Sequence, residues 1–451
     1  MCISIKETKE ETMKKLNKLF LTLVLIMSTS VTILLAQEAN SYGYYKDIFM
    51  DSGIMLTSRK DLPASRYLNL SIEAFISAAN TEESPLTLRD TLLQRECICG
   101  NAMDLNGILL YPDGQPRFRM IYMNGGKATK HGISLTQTGI NNIQKFVNNG
   151  GSYVGTCAGA FIASAGINKD KDNELPHKGY LSIWPGIAHN TGLIKNYTGM
   201  FVEKNSPLLK YYDFGGDMRI DSVRHNGGCY ADYSRTMPEE TEVLLRYDYD
   251  TIPANSKIKI HNEVSAWAYK KDNNSGRIVA IGSHPEGVVY GERLDLMSAM
   301  IRYAMEGNAN PKVKGMLEEG IVREMKKSTL DNDPLFTKIG DRQYHHFTIN
   351  VPKKVSKMII ELKGYKDSDN FDLSLFANKD DYAFHHNAKW KNVSLGCYKT
   401  IEIDNPAQGE WYLSVFCETT VDSQFGEYGT EYSGRTDVLN GVPYNIKIIF
   451  N

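Results

Sequence analysis

Apolar runs alternate with amphipathic stretches over residues 41–306, a pattern typical of strands that alternate with helices. Residues 137–147 carry apolar side chains at helical spacing and stop at Asn149-Gly150-Gly151, which predicts a helix with a glycine-bearing C-terminal cap. Short apolar runs flank this helix and predict buried strands: 120–123, 153–154 and 277–281. The alternation therefore predicts an α/β domain whose parallel sheet has helices on both faces.

The pattern changes after residue 306. Residues 307–333 are polar and charged and predict a linker between two domains. From residue 334 to residue 451, short stretches of alternating polarity are separated by turns rich in Lys, Gly, Asp and Asn. This spacing predicts a second domain, an antiparallel β-sandwich.

The N-terminus has the layout of a secretory signal. Lysines follow Met13, an apolar run covers Leu19–Met27, and a second apolar stretch ends at Ala36. We therefore interpret residues 1–36 as a signal peptide that is cleaved after Ala36, with Met13 as the natural start. The alternative is an uncleaved anchor over residues 19–36. The signal predicts an exported protein, which is periplasmic, secreted or at the cell surface.

Composition and charge exclude several classes of protein. The chain has 451 residues, of which 42% are hydrophobic and 23% are charged, as in ordinary globular proteins with more than one core. A disordered chain and a polytopic membrane protein are therefore excluded. The formal net charge of -2 gives no support to nucleic acid as a partner, because phosphate binding requires a basic face.

Six cysteines remain after removal of the signal peptide, in a compartment where disulfides persist. Cys397 and Cys417 lie in neighbouring strand-like segments and could form a disulfide. Cys97 and Cys99 point to opposite faces if they are extended, which makes them poor partners for each other. If one cysteine is a free nucleophile, at least one more is unpaired, and the sequence leaves the pairing open.

The candidate nucleophile is Cys157. It follows a predicted strand and has Gly155 two residues before it and Gly159 two residues after it. A nucleophile on a tight strand-to-helix turn needs small residues at these positions, because the neighbouring backbone comes too close for side chains. The same turn directs the backbone N–H of Ala158 toward the oxyanion that forms on an attacked carbonyl. A buried structural cysteine in a glycine-rich turn is the alternative.

A base and its partner follow another predicted strand. His284 and Glu286 come after the apolar run that ends at Ile281, and open parallel sheets place their sites at this edge. A thiol nucleophile needs a base, and the base needs an acceptor that fixes its tautomer. The turn at Gly125 and Gly126 follows a third strand, and its N–H could complete an oxyanion hole. Taken singly, His284 could be a solvated loop histidine and the glycine pair a simple turn.

These motifs carry a family resemblance. Gly-Thr-Cys-Ala-Gly at 155–159 followed by His-Pro-Glu at 284–286 resembles the class I glutamine amidotransferase-like superfamily. The run from Ile121 through Phe161 is similar to the branch that contains the N-terminal domain of biotin-protein ligase. The resemblance covers roughly residues 43–305 and implies a flavodoxin-like sheet. It also implies roles: Cys157 as nucleophile, His284 as base, Glu286 as orienting acid, and Ala158 with Gly125 or Gly126 as amide donors.

Phe161 departs from the pattern of the superfamily. It stands where glutamine-hydrolysing members usually have Gln or a similar polar residue, so glutamine itself is not the predicted substrate. No nucleotide-binding loop of the form G-x-x-x-x-G-K-[ST] occurs in the sequence, and no ligase domain follows. The general chemistry remains, which is thiolate attack on an amide or ester carbonyl.

The C-terminal region resembles the bacterial pre-peptidase C-terminal domain, a β-sandwich often attached to secreted peptidases. The resemblance lies in residues 347–351, 358–362, 368–375 and 409–415. Asp367, Asp369 and Asp372 could bind calcium through oxygen ligands, or could form a solvated acidic turn. Paired histidines at 345–346 and 385–386 are adjacent on strands, so their side chains diverge and predict no metal site. The sequence thus predicts no cofactor and no catalytic metal.

The sequence favours an exported cysteine hydrolase that cleaves an amide or peptide C–N bond through a thioester, with a substrate that contains an amide or a peptide. The sandwich would contact a cell surface or a polymer. One rival is a ligand-binding or attachment protein with a vestigial site, in which Cys157 is buried, oxidised or distant from His284. A cytoplasmic amidotransferase subunit is the third hypothesis, and it would require residues 1–36 to stay uncleaved and soluble.

Overall fold

The fold is described from a computed structural model of the chain. It describes residues 46–50, 98–107, 109–123, 125–126, 128–167, 177–232, 237–252, 259–286, 291–365, 368, 370–426 and 429–451. The predicted signal peptide at residues 1–36 lies outside the described residues, and so does Cys97.

Three α-helices are described, and all lie in the first part of the chain: α1 (Ala128–Asn148), α2 (Ala158–Ala163) and α3 (Glu292–Glu306). Helix α1 contains a kink at Thr136, whose φ is 56°, and its straight C-terminal part coincides with the helix predicted at 137–147. That prediction is confirmed. Short 3-10 turns occupy 207–210, 214–216, 329–331 and 436–440. Among the described helices, none is both long enough and apolar enough to cross a membrane.

One large sheet of eleven strands organises the first part of the chain. Its strands are β1 (Lys46–Met50), β2 (Phe118–Met123), β3 (Ser152–Thr156), β4 (Gly166–Ile167), β5 (Ile187–Asn190), β6 (Asn196–Val202), β7 (Arg219–His225), β8 (Cys229–Ala231), β9 (Glu242–Asp248), β10 (Val264–Tyr269) and β11 (Ile278–Ile281). The main path runs β1-β2-β3-β11-β10-β8-β5-β4, and β9, β6 and β7 extend it from β10. The strands predicted near 120–123, 153–154 and 277–281 are β2, β3 and β11.

The predicted parallel sheet needs a correction, because the observed sheet is mixed. Strands β1, β2, β3 and β11 are parallel neighbours, whereas β10 runs antiparallel to β11 and pairs antiparallel with β8 and β9. The reason is the short connection at residues 270–277, which suits a hairpin, since parallel neighbours need a crossover of a dozen or more residues. A sheet covered by helices on both faces stays a prediction.

Three of the parallel strands, β2, β3 and β11, are buried along their whole length. Every residue of β2, β3 and β11 is buried, which explains their continuous apolar runs. The single hydroxyl at the start of β3, Ser152, is satisfied by the carbonyl of Ala304 in α3 at 2.6 Å. This packing positions the carboxyl ends of β3 and β11 side by side, where the candidate site residues lie.

Separate sheets make up the rest of the chain. Their strands are β12 (Val313–Met316), β13 (Arg323–Met325), β14 (Tyr344–Val351), β15 (Lys357–Gly364), β16 (Leu373–Lys379), β17 (Trp390–Asn392), β18 (Lys399–Asp404), β19 (Gly409–Cys417), β20 (Val421–Gly426), β21 (Gly429–Gly434) and β22 (Tyr444–Phe450). The orders are β12-β14-β19-β16-β17, β13-β22-β15-β18 and β20-β21. All described strand pairs in these three sheets are antiparallel except β12 with β14.

The two larger sheets contribute to one apolar core, which is separate from the core of the first region. Strand β14 buries Phe347, Ile349 and Val351, and β15 buries alternate residues in the same way. The alternating stretches of the sequence are therefore strands with one face in the core. Strands β12 and β13 fall inside residues 307–333, so part of the predicted linker contributes strands to these sheets.

Buried ion pairs join the two regions. The guanidinium of Arg117 bonds the carboxylate of Asp341, and it also donates to the carbonyl of Leu439 at 3.3 Å. The ammonium of Lys314 bonds the carboxylate of Asp113. Because both partners of each pair are almost fully buried, the loss of either partner would leave an uncompensated charge between the regions.

Candidate active site

Cys157 occupies a strained turn between β3 and α2. Its φ of 49° and ψ of −105° lie in a region that L-residues rarely adopt. The backbone N–H of Cys157 donates to the carbonyl of Ile281 at 2.9 Å, and its carbonyl accepts from the N–H of Phe161 at 3.1 Å. The turn is thus held from both sides, and such strain is typical of residues whose direction matters for function.

Gly155 and Gly159 permit the close packing of this turn. A Cβ atom at Gly155 would lie 2.6 Å from the backbone of Gly159, and one at Gly159 would lie 1.9 Å from the carbonyl oxygen of Met123. Both distances are far below a van der Waals contact. The small residues that the sequence places two before and two after Cys157 are therefore required by the backbone around them.

Gly159→Ala is expected to destabilise the protein, because backbone atoms of β2 cannot yield to the added methyl group as a flexible side chain would. Overpacking of this kind costs about 1–3 kcal/mol or more. The free energy of unfolding in urea measures the effect. Gly139→Ala is the matched control, since Gly139 lies in α1 with its nearest side-chain neighbours at 3.3–3.4 Å. Equal stability of the two variants would contradict the packing described here.

His284 follows β11, and its imidazole lies between Cys157 and Glu286. Its Nδ1 is 2.7 Å from Oε1 of Glu286, and the imidazole also lies close enough to the side chain of Cys157 for the two to interact electrostatically. The backbone N–H of His284 donates to the carbonyl of Arg224 at 2.8 Å, which anchors the residue to β7. The side chain of His284 is 15% exposed, so it remains partly open to solvent.

The protonation of His284 is governed by these two neighbours. Burial lowers the pKa of His284, but the charge of the Glu286 carboxylate, the neighbouring side chain of Cys157 and the hydrogen bond with Glu286 raise it, and the balance raises the pKa to about 10. The imidazolium form is therefore favoured at neutral pH. An imidazolium beside a thiol stabilises the thiolate, which is the nucleophilic form of cysteine.

Glu286 is almost fully buried and belongs to a longer chain of hydrogen bonds. Its Oε1 also accepts from the hydroxyl of Thr156 at 3.1 Å, and the hydroxyl of Tyr122 is 3.2 Å from that of Thr156. Within the described part of the chain, no group bonds its Oε2. Burial, followed by the charge of Glu286, raises the pKa of Tyr122 well above its usual value, so Tyr122 stays a neutral donor. The sequence motifs gave no indication of Tyr122 or Thr156.

The predicted amide donors lie around the same point. Gly125 is buried against the imidazole, since a Cβ atom there would lie 2.2 Å from Cε1 of His284. Gly126 is exposed and has a φ of 143°. Ala158 is the first residue of α2, and the first N–H groups of a helix have no acceptor within that helix. Asn124 lies outside the described residues.

A second histidine, His225, lies behind His284. It is fully buried, and its two ring nitrogens are each 2.7 Å from a hydroxyl, Ser283 on one side and Thr191 on the other. Burial, followed by the charge of His284, lowers the pKa of His225 to about 3, so it stays neutral. The next residue, Asn226, places its carbonyl oxygen 3.8 Å from the sulfur of Cys157. The glycine-bearing loop at 225–228 was the available sequence signal for this contact.

A possible set of metal ligands lies away from this site. Ligand atoms of Asp248, Asp250 and His261 lie within 4.8 Å of one another. However, Arg219 pairs with Asp248 at 2.6 Å, and Lys259 pairs with Asp250 at 3.2 Å. The two carboxylates are therefore already neutralised by neighbouring side chains.

The acidic turn near residue 370 was the candidate calcium site. Asp367 and Asp369 of the acidic turn lie outside the described residues, and Oδ1 of Asp372 accepts from the N–H of Gly396. The calcium site stays a prediction.

Cys397 and Cys417 do not form the suggested disulfide. Each thiol donates instead to a nearby backbone carbonyl, at 3.2 and 3.4 Å.

The fold is a mixed α/β fold, and the imidazole of His284 lies between Cys157 and Glu286 at the carboxyl edge of its parallel strands. Residues 115–303 match the family model described as "Biotin-protein ligase, N terminal". An uncharacterized protein of Chlamydia muridarum is 24% identical over 173 residues, which are 37% of this chain and 60% of that protein. The chain thus spans less than two thirds of the length of this relative.

Solved structures are similar to each part of the chain. A glutamine amidotransferase is 18% identical and covers 42% of this chain and 80% of its own, with a TM-score of 0.28. The pre-peptidase C-terminal domain of a collagenase from Bacillus anthracis is 12% identical and covers 31% of this chain and 98% of its own, with a TM-score of 0.18.

Proposed function

We propose that the protein is an exported cysteine hydrolase that cleaves an amide or peptide C–N bond. The observation that carries the proposal is the position of the His284 imidazole between Cys157 and the buried carboxylate of Glu286. A thiol, a base and an orienting acid in this order are the components of nucleophilic catalysis. The match to the biotin-protein ligase N-terminal family over residues 115–303 supports the same proposal.

In the first half of the reaction, the sulfur of Cys157 attacks the substrate carbonyl carbon, and an S–C bond forms. The proton of the thiol has passed to His284, and the imidazolium gives it to the amine nitrogen as the C–N bond breaks. The products are a free amine and a thioester on Cys157. In the second half, His284 takes a proton from water, the resulting hydroxide attacks the thioester, and the S–C bond breaks to release a carboxylic acid.

Glu286 fixes the imidazole during both halves. Its bond to Nδ1 directs the other ring nitrogen toward the thiol and stabilises the imidazolium. The hydroxyl of Thr156, which is in turn 3.2 Å from the hydroxyl of Tyr122, bonds the same oxygen Oε1 of Glu286 and helps to hold the carboxylate in this position. The backbone N–H groups of Ala158 and of Gly125 or Gly126 are the proposed donors to the oxyanion of the tetrahedral intermediate.

The other parts of the chain suit a role outside the cytoplasm. Residues 1–36 have the layout of a cleavable signal peptide, so we place the mature protein in the periplasm, in the medium or on the cell surface. The C-terminal sheets would contact a cell surface or a polymeric substrate. They hold no proposed catalytic residue, and no metal or organic cofactor is required by the proposed chemistry.

The burial of Cys157 favours a second candidate. The residue is only 4% exposed, as expected for a ligand-binding or attachment protein with a vestigial site. The contact of its thiol with His284 favours the hydrolase, because a vestigial site has no need to keep this pair together. Both candidates predict a folded domain with the same sheet, and they differ in the reactivity of the thiol.

Alkylation with iodoacetamide tests the choice. We expect Cys157 to react faster than the buried thiols of Cys229, Cys397 and Cys417, as measured by peptide mapping over time. A screen of peptides and amidated amino acids should reveal hydrolysis by the untreated protein and none by the alkylated protein. The hydrolase is excluded if Cys157 reacts no faster than Cys229, or if the alkylated protein keeps its activity.

A further inference from the structure

Three side chains form a row across the surface beside the nucleophile. Arg224 of β7 pairs directly with Tyr197 of β6 on one side and with His284 on the other, and both pairings are antiparallel. Directly opposed residues of antiparallel strands project to the same face of the sheet. Tyr197, Arg224 and His284 therefore share one face. The neighbouring His225 projects to the opposite, buried face, as its burial requires.

This face is open to solvent. Tyr197 is 55% exposed, and Arg224 is exposed as well. Exposure decreases along the row toward His284, whose side chain is 15% exposed, and toward Cys157, which is 4% exposed. The row therefore leads from the surface of the protein down to the candidate nucleophile.

Arg224 has no partner for its charge among the residues that the structure describes. The neighbouring Arg219 differs in this respect, since it pairs with Asp221 and Asp248. The backbone of Arg224 is nevertheless fixed, since its carbonyl accepts from the N–H of His284 at 2.8 Å. The backbone of Arg224 is thus fixed, and its guanidinium N–H groups are free to bind a ligand beside the candidate catalytic base, His284.

We propose that Arg224 binds a carboxylate of the substrate, so that the site selects acidic amides. This inference rests on the proposed function, because it assigns the substrate class of the same site. Cβ atoms of directly opposed residues lie about 5 Å apart, which puts the guanidinium within reach of a group a few bonds from the scissile carbonyl. Arginine binds a carboxylate through two parallel hydrogen bonds, which fixes the orientation of the bound group.

Tyr197 adds an apolar surface at the outer end of the row. It lies two strands from His284, roughly 10 Å away. A substrate held by Arg224 would therefore place its next group over the ring of Tyr197. The carboxylate could belong to an acidic side chain or to the C-terminus of a peptide, and the two sources offer the same chemistry to Arg224.

A matched pair of thiol probes tests the assignment without knowledge of the substrate. The bromoacetyl amide of γ-aminobutyrate carries a carboxylate, and that of γ-aminobutyramide is its neutral counterpart. We expect Cys157 to react roughly 10-fold or more faster with the acidic probe than with the neutral probe. This ratio of rates is first divided by the ratio that free cysteine gives with the same two probes. The preference should fall to about unity in Arg224→Gln, reverse in Arg224→Glu and decrease in high salt.

Lys204→Gln is the control variant, because it removes one positive charge from an exposed turn away from the row. It should keep the preference of the unmodified protein, and circular dichroism should show that all variants are folded. An acidic probe that reacts no faster than the neutral one, or not at all, overturns the assignment. So does a preference that Arg224→Gln leaves unchanged.

The same experiments separate this inference from the proposed function. A preference for the acidic probe that depends on Arg224, without hydrolysis of any amide, would support anion binding and contradict the hydrolase. Hydrolysis of neutral and acidic amides at equal rates would support the hydrolase and contradict the role of Arg224. If the preference holds, peptides with a free or amidated C-terminus, each with Glu or Gln beside the scissile bond, distinguish the two sources of the carboxylate.

Discussion

Cys157→Ala is expected to abolish hydrolysis while leaving the protein folded. The substitution removes the atom that forms the thioester, and it removes little volume from the turn. Loss of a nucleophile lowers kcat on the order of 10⁴-fold or more, because only binding and oxyanion stabilisation remain. The measurement is kcat/KM on a substrate found by the peptide and amide screen, with the midpoint of thermal unfolding as the test of folding.

Cys99→Ala is the matched control for this variant. Cys99 is a partly buried thiol of the same region, and it bonds the carbonyl of Leu135 rather than a histidine. Its replacement should leave kcat/KM within about twofold of the unmodified protein, because the proposed mechanism does not use Cys99. If Cys157→Ala keeps full activity, or if Cys99→Ala loses activity equally, Cys157 is not the nucleophile.

Glu286→Gln is expected to lower kcat/KM on the order of 100-fold or more, since the amide keeps the shape of the side chain but removes its charge. The carboxylate is the main cause that raises the pKa of His284 to about 10. Without it, the pKa of His284 falls toward its ordinary value of 6.5. A smaller fraction of His284 would then be imidazolium at neutral pH.

The pH dependence of the two proteins gives a second measure. Activity that needs the imidazolium should decline in the unmodified protein as pH rises through about 10, and at lower pH in Glu286→Gln. The stability of the folded protein changes with pH in the same direction. Because the pKa of His284 is raised on folding, the contribution of His284 to the free energy of unfolding is complete below pH 6.5 and is lost as pH rises through about 10. The unfolding midpoints of the two proteins should therefore converge at high pH.

Glu292→Gln is a suitable control, because it removes the same charge from the start of α3, and Glu292 is not among the groups that shift the pKa of His284. Its pH profile should match that of the unmodified protein. An unchanged alkaline limb in Glu286→Gln would contradict the orienting role of Glu286, and a limb shifted equally in both variants would indicate a general effect of charge.

Local patterns were sufficient to predict the elements that present the site. The strands before Cys157 and His284 are fully buried in the structure, so their apolar runs had one explanation. The helix at 137–147 had both its periodic face and its cap within a few residues. Such features depend on residues that are close in sequence, and these residues are the same whatever tertiary contacts the chain forms.

The order and direction of the strands were less predictable. The mixed sheet arises because residues 270–277 close a hairpin between β10 and β11, and hydrophobic patterns do not specify strand direction. Motif reasoning also assigns no role to the hydroxyls of Thr156 and Tyr122, and it marks His225 only as part of a glycine-bearing loop. Each belongs to a different strand, and only the register of the sheet brings them to His284 and Glu286.

The sequence by itself determined which residue types can perform the proposed chemistry, because a thiol on a turn flanked by Gly155 and Gly159 and an imidazole two residues before a carboxylate are local patterns. The tertiary structure decided that the imidazole of His284 lies next to Cys157 and Glu286, and that Arg224 lies beside His284 without a counter-charge among the described residues. The physical reason is pairing across strands, which joins residues that are far apart in the chain and for which hydrophobic periodicity carries no information.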